Sequence, residues 1–355
     1  MQAELSIWYN KRVAFIIAGS RGKKHEVSLR SLLYGIINAL RLLSRAVSVR
    51  LEWCGMLKAV ITSLKNISAS LVNELVRKRV SVSVTELRDG ETTDMWLKRM
   101  LAWIKEQGLR ESECLMISSD RECLVISKEA GLKCVGYLEQ SGPGTEMLGY
   151  CTYAIEGWEG IDFSYINRVF CRLEGIPIVI AVTKHLLIRE LVQEDIPCLC
   201  KICSQDSVRA FIHDIGEDLQ EEAEKHKAYI EQAYRFYDYG YWGVYNRQSG
   251  ELIGRCGIQD NVIDGVAEVE LGYLLAEEHR GKGYAKEAVN AVLAYAFREL
   301  GLLRVVAEID KENTASLQVA KNCGMLWEKD IVKIDAKNNM ERICSVYAIT
   351  PVSGG

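Results

Sequence analysis

The stretch that decides the fold of the second half of this chain is "EEHRGKGYAKEA", residues 277–288. Gly281 and Gly283 stand between a β-rich run and a long amphipathic run, with Arg280 and Lys282 interleaved. The first turn of a helix attracts anions, because its N–H groups lack internal partners and it carries the positive end of the helix dipole. Glycine also lets the backbone approach a bulky anion without an obstructing Cβ. The stretch therefore predicts an anion site at a strand-to-helix turn, although a tight turn with sterically required glycines has the same pattern.

Regular elements on both sides of this turn predict a mixed sheet. Before it, YWGVY, ELIGRCGIQ and AEVELGYLL are strands separated by turns at NRQSG and VIDG, which is an antiparallel meander. After it, apolar residues at helical spacing predict a helix from Tyr284 to Leu300 that ends at Gly301. RVVAEI is a further strand, Asn313 stands at the N-cap of a second helix, and a hairpin around KNN closes the chain.

The run from Arg280 to Ala285, R-G-K-G-Y-A, resembles the R-x-x-G-x-A coenzyme A loop of the GCN5-related N-acetyltransferases (GNAT). The order of the surrounding elements also matches this family, and the resemblance covers residues 186–350. "VELGYLLAEEHRGKGYAKEAVNAVLAYAF" followed by "NTASLQVAKNCGM" is most similar to the branch that acetylates the N-termini of ribosomal proteins. The resemblance implies a GNAT-type mixed, mainly antiparallel α+β domain over residues 184–355.

The same resemblance implies an acetyl-CoA-dependent N-acetyltransferase acting on a primary amine by direct transfer in a ternary complex. The acceptor would be a protein or peptide N-terminus, an amino acid or a small amine. Main-chain N–H groups would hold the pyrophosphate, the end of the preceding strand would pair with the pantetheine arm, and an Asn would hydrogen-bond the coenzyme near its pantetheine. The implied coenzyme-binding residues are Tyr273, Leu274, Leu275, Arg280, Gly281, Lys282, Gly283, Tyr284, Ala285, Asn313 and Ser316.

Acetyl transfer needs a neutral amine, a site for the oxyanion and a proton for the departing thiolate. Glu270 is the candidate base, acting through water, but alternation along AEVELGYLL is equally compatible with a side chain in solvent. A main-chain N–H near Leu275 would stabilise the oxyanion. Many GNAT enzymes carry a Tyr seven positions after the Asn, where this chain has Ala320. Ser316, which the ribosomal-protein branch also carries three residues after the Asn, is the substitute candidate acid. It is also compatible with a structural hydrogen bond alone, with the thiolate leaving unprotonated or through water.

Aromatic residues lie where the family builds its acceptor wall, at the end of the charged stretch "GEDLQEEAEKHKAYIEQAYRFYDYG" and just beyond it. Aromatic residues at helical spacing are mostly core, so roughly a third of them are assigned to a substrate groove. His226 lies on the same solvated helix and is given no special role. The series is Tyr229, Tyr234, Phe236, Tyr237, Tyr239, Tyr241 and Trp242. The absent Tyr keeps a second hypothesis open, a coenzyme A-binding regulatory module without turnover.

Short β-rich runs alternate with helical patterns in the first half of the chain. VAFIIA, VSVSVTEL, ECLMISS and KCVGYLE are the predicted strands, and helices are predicted near residues 31–45, 93–108 and 121–131. Such alternation is typical of βαβ units and predicts an α/β domain with a doubly wound parallel sheet. "PIVIAVTKHLLIREL" would pass from the last strand of this domain to the first strand of the next.

"CLMISSDRECLVISKEAGLKCVGY" with "YAIEGWEGID" resembles the late part of haloacid-dehalogenase-like (HAD) hydrolases, over residues 75–165. HAD chemistry needs an Asp pair after the first strand and carboxylates for magnesium. VAFIIAGSRGKKHE has no Asp, and the later acidic loop keeps only Asp120 and Glu122. Residues 1–183 are therefore predicted to be a degenerate, non-catalytic HAD-like domain, with another doubly wound domain as the alternative. GSRGKK lacks the spacing of a phosphate-binding P-loop.

Bulk properties set the class of protein. A chain of 355 residues predicts two domains, and 48% apolar with 26% charged residues is typical of globular proteins. A net charge of −4 disfavours a nucleic-acid partner, and no leader or apolar run predicts a membrane segment, so a cytoplasmic location is expected. The cluster Cys198, Cys200 and Cys203 lacks a second ligand pair, so no metal is expected. A homodimer is left open.

Overall fold

The computed structural model describes residues 57–138, 149–212, 219–334 and 341–351. The chain divides into two compact units, Met1–Ile176 and Pro177–Gly355. The predicted strand VAFIIA, the helix predicted near residues 31–45 and the GSRGKK turn lie outside the described residues, as does the KNN turn of the closing hairpin. In the described part of the chain, no helix combines the length and apolar character needed to cross a bilayer.

The described part of the first unit is a parallel five-stranded sheet with helices. The strands are β1 (Ala59–Thr62), β2 (Ser81–Val84), β3 (Cys114–Ser118), β4 (Lys133–Leu138) and β5 (Ala154–Glu156). The helices are α1 (Ala69–Arg77), α2 (Thr93–Glu106), α3 (Arg121–Glu129) and α4 (Phe163–Leu173). The strand order is β2-β1-β3-β4-β5, and every neighbouring pair is parallel. The predicted parallel sheet is confirmed.

Helices cover both faces of this sheet, which explains why β1 and β3 are buried throughout. Leu75 of α1 and Phe170 of α4 pack in one core, on one face. Trp96 of α2 and Leu124 of α3 pack in the other core, on the opposite face. The arrangement is doubly wound, and the strand order 2-1-3-4-5 is one of the common orders for such folds.

The second unit contains an eight-stranded mixed sheet. Its strands are β6 (Val179–Val182), β7 (Leu186–Arg189), β8 (Tyr241–Asn246), β9 (Leu252–Ile263), β10 (Val266–Leu275), β11 (Val305–Asp310), β12 (Leu326–Ile334) and β13 (Glu341–Ile349). Its helices are α5 (Ile196–Cys203), α6 (Asp206–Arg209), α7 (Leu219–Tyr237), α8 (Tyr284–Arg298) and α9 (Thr314–Asn322). The order is β12-β13-β11-β10-β9-β8-β7-β6, with β10 and β11 as its parallel pair. The mixed, mainly antiparallel sheet agrees with the prediction.

Strand β6 belongs to this second sheet, which corrects its prediction as the last strand of the first domain. It pairs antiparallel with β7, and the Thr183 N–H donates to the Leu186 carbonyl at 2.9 Å in the connecting turn. Only three residues separate the two strands, and so short a link allows a hairpin but no parallel crossover. The predicted domain boundary between residues 183 and 184 falls in this turn.

Helix α8 follows the predicted apolar pattern but ends at Arg298, two residues before the predicted end. Gly301 has a φ of 66°, and the Leu302 N–H donates to the Ala296 carbonyl at 3.0 Å. A left-handed glycine that returns the chain to the last turn is a common helix stop. The buried face of α8 includes Val289 and Val292.

Strands β10 and β11 part soon after they meet. Along its other edge β10 pairs with β9 from Val266 to Leu275, but its register with β11 consists of Glu270 opposite Val306. Beyond Glu270 the edge of β10 that faces β11 is therefore left without a strand partner. This opening leads directly to the turn before α8.

Candidate functional site

The turn before α8 presents backbone N–H groups to solvent. Gly281 and Gly283 have φ values of 72° and 79°, a region that strains residues with a Cβ, and Gly283 is the N-cap of α8. The Glu287 N–H donates to the Gly283 carbonyl at 3.1 Å. The N–H groups that precede Glu287 in the first turn of α8 thus have no helical carbonyl to bond. A Cβ built on either glycine would meet nothing within 4 Å, so the space around the turn is open.

Arg280 fixes this turn to its surroundings. Its Nε donates to the Leu275 carbonyl at 3.0 Å, and its Nη1 donates to Ser207 Oγ at 2.7 Å. The Gln205 side chain accepts from the Glu277 N–H at 3.0 Å. Arg280 therefore holds the end of β10 in addition to its predicted place beside an anion. Gln205 and Ser207 were missed by the sequence analysis because nothing local indicates a contact with a turn some 70 residues later.

Glu270 lies where β10 and β11 part. Its carboxylate is half-buried and accepts from the Asn261 Nδ2 at 2.8 Å. Burial raises the pKa of Glu270, the charge of Glu308 raises it further, and the Asn261 hydrogen bond opposes the rise. The side chain is thus anchored rather than simply solvated, and its pKa is moved toward the range of a general base.

The residues predicted at the start of α9 lie together with Tyr273. Asn313 caps the helix, since its Oδ1 accepts from the Ser316 N–H at 3.1 Å. The Tyr273 hydroxyl donates to the Ser316 carbonyl at 2.8 Å, and burial raises the pKa of Tyr273 so that the phenol stays protonated. Ala320, at the position of the family's Tyr, is fully buried. The Tyr273 hydroxyl is a proton-carrying group that the sequence assigned only to the coenzyme strand.

One face of the sheet beside Glu270 is built from two glycines and Tyr241. Tyr241, Gly257 and Gly272 are direct neighbours across β8, β9 and β10. Since glycine has no side chain, the Tyr241 ring extends across the strands, and its hydroxyl lies 2.5 Å from where a Cβ of Gly272 would stand. The Arg255 guanidinium carbon lies 4.6 Å from the centroid of that ring.

The predicted aromatic wall divides between core and surface. Tyr234 and Trp242 are buried, and Trp242 meets Tyr295 of α8 edge-on. The Tyr229 hydroxyl accepts from the Tyr241 N–H at 2.6 Å, and the Tyr239 hydroxyl donates to Asp260. The side chain of Phe236 lies outside the described residues.

His226 corrects an expectation, because it is not simply solvated. Its side chain is half-buried on α7, and its Nε2 is fully buried with no hydrogen-bond partner within the described ranges. Burial lowers the pKa of His226, and the nearby charge of Arg255 lowers it further. Its burial depends on how α7 packs on the sheet, which the helical period alone does not give.

The cysteine cluster forms part of the packing of α5. Cys200 and Cys203 are buried, and the Cys198 thiol donates to the Leu252 carbonyl at 3.5 Å. Burial raises the pKa of all three thiols, so they stay protonated at neutral pH. Helix spacing alone explains why the three cysteines lie close together.

A cavity of about 710 Å³ lies between α9 and the closing hairpin. Its lining includes Lys311, Met325, Trp327 and Tyr347. It contains none of the predicted catalytic or coenzyme residues, so the candidate site is the opening between β10 and β11 rather than this cavity.

Known proteins share this second unit. Residues 185–326 match the family model for the acetyltransferase (GNAT) domain. YnaD of Bacillus subtilis, an uncharacterised N-acetyltransferase, is 31% identical over 160 residues, which are 44% of this chain and 88% of that protein. The chain belongs to the GNAT acetyltransferase family. It is therefore an acyltransferase.

Two further comparisons concern parts of the chain. The uncharacterised protein YkkB of Bacillus subtilis is 39% identical over 97 residues, which are 27% of this chain and 56% of YkkB. The chain thus spans little more than half of that relative. A GNAT acetyltransferase structure from Bacillus anthracis covers 48% of this chain and 96% of its own, with 24% identity and a TM-score of 0.42.

Proposed function

We propose that the second unit binds acetyl-CoA in the opening between β10 and β11 and transfers the acetyl group to a primary amine in a ternary complex. One observation carries this proposal. The edge of β10 loses its strand partner after Glu270, and the strand runs into an exposed glycine turn whose N–H groups have no helical partner. An extended amide arm that ends in a diphosphate has the shape and charge for this path.

The residues present fit such a ligand. N–H groups from Gly281 to Ala285 would hold the pyrophosphate, with Lys282 and Arg280 adding positive charge. The stretch Tyr273–Leu275 would hydrogen-bond the pantetheine arm as a neighbouring strand does. Asn313 would reach the arm through its Nδ2, because its Oδ1 already caps α9. When bound, the coenzyme supplies an activated acetyl thioester.

Glu270 is the proposed base. A primary amine is protonated at neutral pH and must lose a proton before it can attack a thioester. Glu270 would accept that proton through a water molecule, and its raised pKa makes it a stronger base than an exposed carboxylate. A main-chain N–H near Leu275 would stabilise the oxyanion.

Two hydroxyl groups are candidates for returning a proton to the departing thiolate. Ser316 remains the proposed acid from the sequence, on the first turn of α9. The Tyr273 phenol donates to the carbonyl of the same serine and is kept protonated by burial. Water is the third source, because a thiolate is a good leaving group even without direct protonation.

The acceptor is an amine, and its finer class is part of the proposal. Resemblance to the ribosomal-protein branch favours a peptide N-terminus, whereas the family also includes enzymes for small amines. The cytoplasmic location stays a prediction from the sequence.

The test is acetyl-dependent thiol release. The protein is incubated with acetyl-CoA and a panel of peptides, amino acids and polyamines, and free thiol is followed while mass spectrometry identifies the acetylated product. Thiol release with at least one amine, and its loss in Glu270→Gln, is expected. If no amine in the panel causes thiol release, the result argues for the alternative function.

That alternative is a coenzyme A-binding module without turnover, favoured by fully buried Ala320 at the position of the family's acid. Calorimetry with coenzyme A separates the two functions. Tight binding without thiol release supports the module, and binding with release supports the enzyme.

For the first unit, we propose a non-catalytic relative of the HAD-like fold. The Asp120 carboxylate accepts from the Cys123 N–H at 2.8 Å and caps α3, so one of the two acids in the predicted loop has a structural use. Magnesium-dependent hydrolysis of an aryl phosphate by the purified protein would contradict this proposal.

A further inference from the structure

Arg255 on β9 is a half-buried cation without a counter-charge. Its guanidinium stacks on the Tyr241 ring at 4.6 Å, and in the described part of the chain it forms no hydrogen bond or ion pair. Arginine is rarely withdrawn from solvent unless it is paired, because desolvating a charge is costly. The guanidinium therefore keeps all its N–H donors for a group that is not part of the described chain.

His226 on α7 lies close enough to this cation for the charge of Arg255 to affect its pKa. Its Nε2 is buried and has no partner among the described residues, and buried side-chain nitrogens without a partner are rare in native proteins. Burial and the neighbouring Arg255 charge lower the pKa of His226, so the ring is neutral at pH 7 and carries one N–H. Glu222, one turn earlier on α7, is paired with Lys225 at 2.9 Å. Lys225 also pairs with Glu221, at 3.0 Å, so the two carboxylates share one cation.

The register places Arg255 and Glu270 on the same face of the sheet. Arg255 lies opposite Leu274, and Gln259 lies opposite Glu270, on the same face of β9 and β10. The row between them is Gly257 and Gly272, which carry no side chains. Rows on one face are two residues apart, or about 7 Å. The Arg255 head stacks on the ring that crosses this middle row, so the cation and the base lie on one face of the sheet with a row of glycines between them.

We propose that Arg255 binds a carboxylate of the acceptor, so that the acceptor is an amino acid whose amine faces Glu270. This inference rests on the proposed acetyl transfer. An unpaired guanidinium pairs with a carboxylate through a planar two-bond contact, and it repels a polyamine. Of the candidate acceptors, an amino acid always carries such a carboxylate beside its amine, whereas a peptide carries one only on a side chain or at its C-terminus.

The experiment compares matched acceptors. Each amino acid that supports thiol release is paired with its own α-carboxamide, which keeps the amine and side chain but removes the negative charge. The amide amine is the more easily deprotonated, so intrinsic reactivity favours the amide. A preference of roughly tenfold to a hundredfold in kcat/KM for the acid is expected from a charge-assisted contact. Equal or better use of amides and polyamines would overturn the inference.

Variants separate the role of Arg255 from the fold and from the coenzyme. Arg255→Met should abolish the preference for the acid while leaving coenzyme A affinity unchanged. Arg255→Lys should retain part of the preference, because it keeps the charge and loses the planar fork. Arg247→Met, at an exposed arginine whose Nη1 donates to the Thr183 carbonyl, is the matched control and should keep the full preference. An unchanged preference in Arg255→Met would overturn the inference.

A binding measurement keeps the test independent of turnover. Calorimetry with the coenzyme A-loaded protein compares an amino acid with its amide, in the wild type and in Arg255→Met. If no amine is acetylated but the acid still binds more tightly and needs Arg255, the proposed transfer fails and the carboxylate site stands. If acids are acetylated without any dependence on Arg255, the transfer stands and the site fails.

Discussion

The Tyr241 hydroxyl occupies the space that a side chain on Gly272 would need. A Cβ at Gly272 would lie 2.5 Å from the hydroxyl oxygen and 2.6 Å from a ring carbon. The two residues are on different strands, with Gly257 between them in the same row. The Tyr241 ring, which comes from two strands away, thus requires glycine at position 272. The Arg255 guanidinium stacks on the same ring.

Gly272→Ala should displace the Tyr241 ring and disturb the face of the sheet on which Arg255 lies. Overpacking of this kind costs about 1 to 3 kcal/mol of unfolding free energy. Tyr241→Ala removes the obstacle, so the double variant should be more stable than the sum of the two single effects predicts. Thermal unfolding of the four proteins measures this coupling. Strict additivity would show that the ring and Gly272 do not compete for space.

Gly283→Ala should weaken coenzyme A binding, because the turn needs a φ of 79° and its N–H groups must keep their direction. Left-handed backbone costs a residue with a Cβ about 1 to 2 kcal/mol. Gly301→Ala is the matched control at the other end of α8, with a φ of 66° and open space around it. Both variants should lose similar stability by thermal unfolding. Only Gly283→Ala should lose affinity by calorimetry.

Glu270 should set an acidic limb in the pH profile of kcat/KM. Its pKa is raised by burial, so the base is protonated, and the rate falls, at a higher pH than for an exposed carboxylate. The ionisation of the amine also affects the profile, but that limb moves when an acceptor with a different pKa is used. The Glu270 limb should stay in place with two such acceptors and disappear in Glu270→Gln.

The same shift has a consequence for stability. A carboxyl group whose folded pKa is raised stabilises the fold below its unfolded pKa, and this contribution is lost as the pH rises through the folded value. At neutral pH Glu270 is therefore a net cost to the fold. Glu270→Gln should unfold at a higher temperature than the wild type at pH 7, while its transfer activity falls.

Ser316→Ala and Tyr273→Phe should separate the two candidate proton donors. If a hydroxyl protonates the thiolate, its removal should lower kcat by roughly tenfold or more without changing coenzyme A affinity. Tyr273→Phe also removes the bond to the Ser316 carbonyl, so a change in affinity would reveal a structural effect. Normal kcat in both variants would leave water as the donor.

Asp120→Ala should destabilise the first unit by about 0.5 to 2 kcal/mol, the usual cost of losing an N-cap. Asp120→Asn keeps a good capping side chain and removes the charge, so it should unfold like the wild type. Scanning calorimetry of the full chain measures both. Equal damage by the two substitutions would point to a role for the charge, and against the capping role.

The sequence predicts elements well where local chemistry decides them. The glycine turn, the α8 stripe and the Asn313 cap depend on residues within a few positions of each other, and the structure has all three. The sequence does not predict contacts that depend on pairing between residues far apart in the chain. Strand β6 was assigned to the wrong sheet, because an apolar run of four residues fits either one. The partners of Arg280 and the burial of His226 were missed for the same reason.

The direction of the Glu270 side chain shows the limit most directly. Alternation along β10 gives its face, but only the register with β9 shows that Asn261 is close enough to hold the carboxylate. The sequence pattern likewise gives no sign of the place where β10 leaves β11, because both segments have the pattern of ordinary strands.

The single bridge between Glu270 and Val306 leaves the sheet nearly divided, with β11, β12 and β13 on the far side. A ligand that pairs with the free edge of β10 would act as a missing strand and restore the continuity of the sheet. Ligand concentration would then regulate resistance to proteolysis and the slow exchange of amide hydrogens in those three strands. Bound coenzyme would thus stabilise the sheet in addition to serving as a substrate.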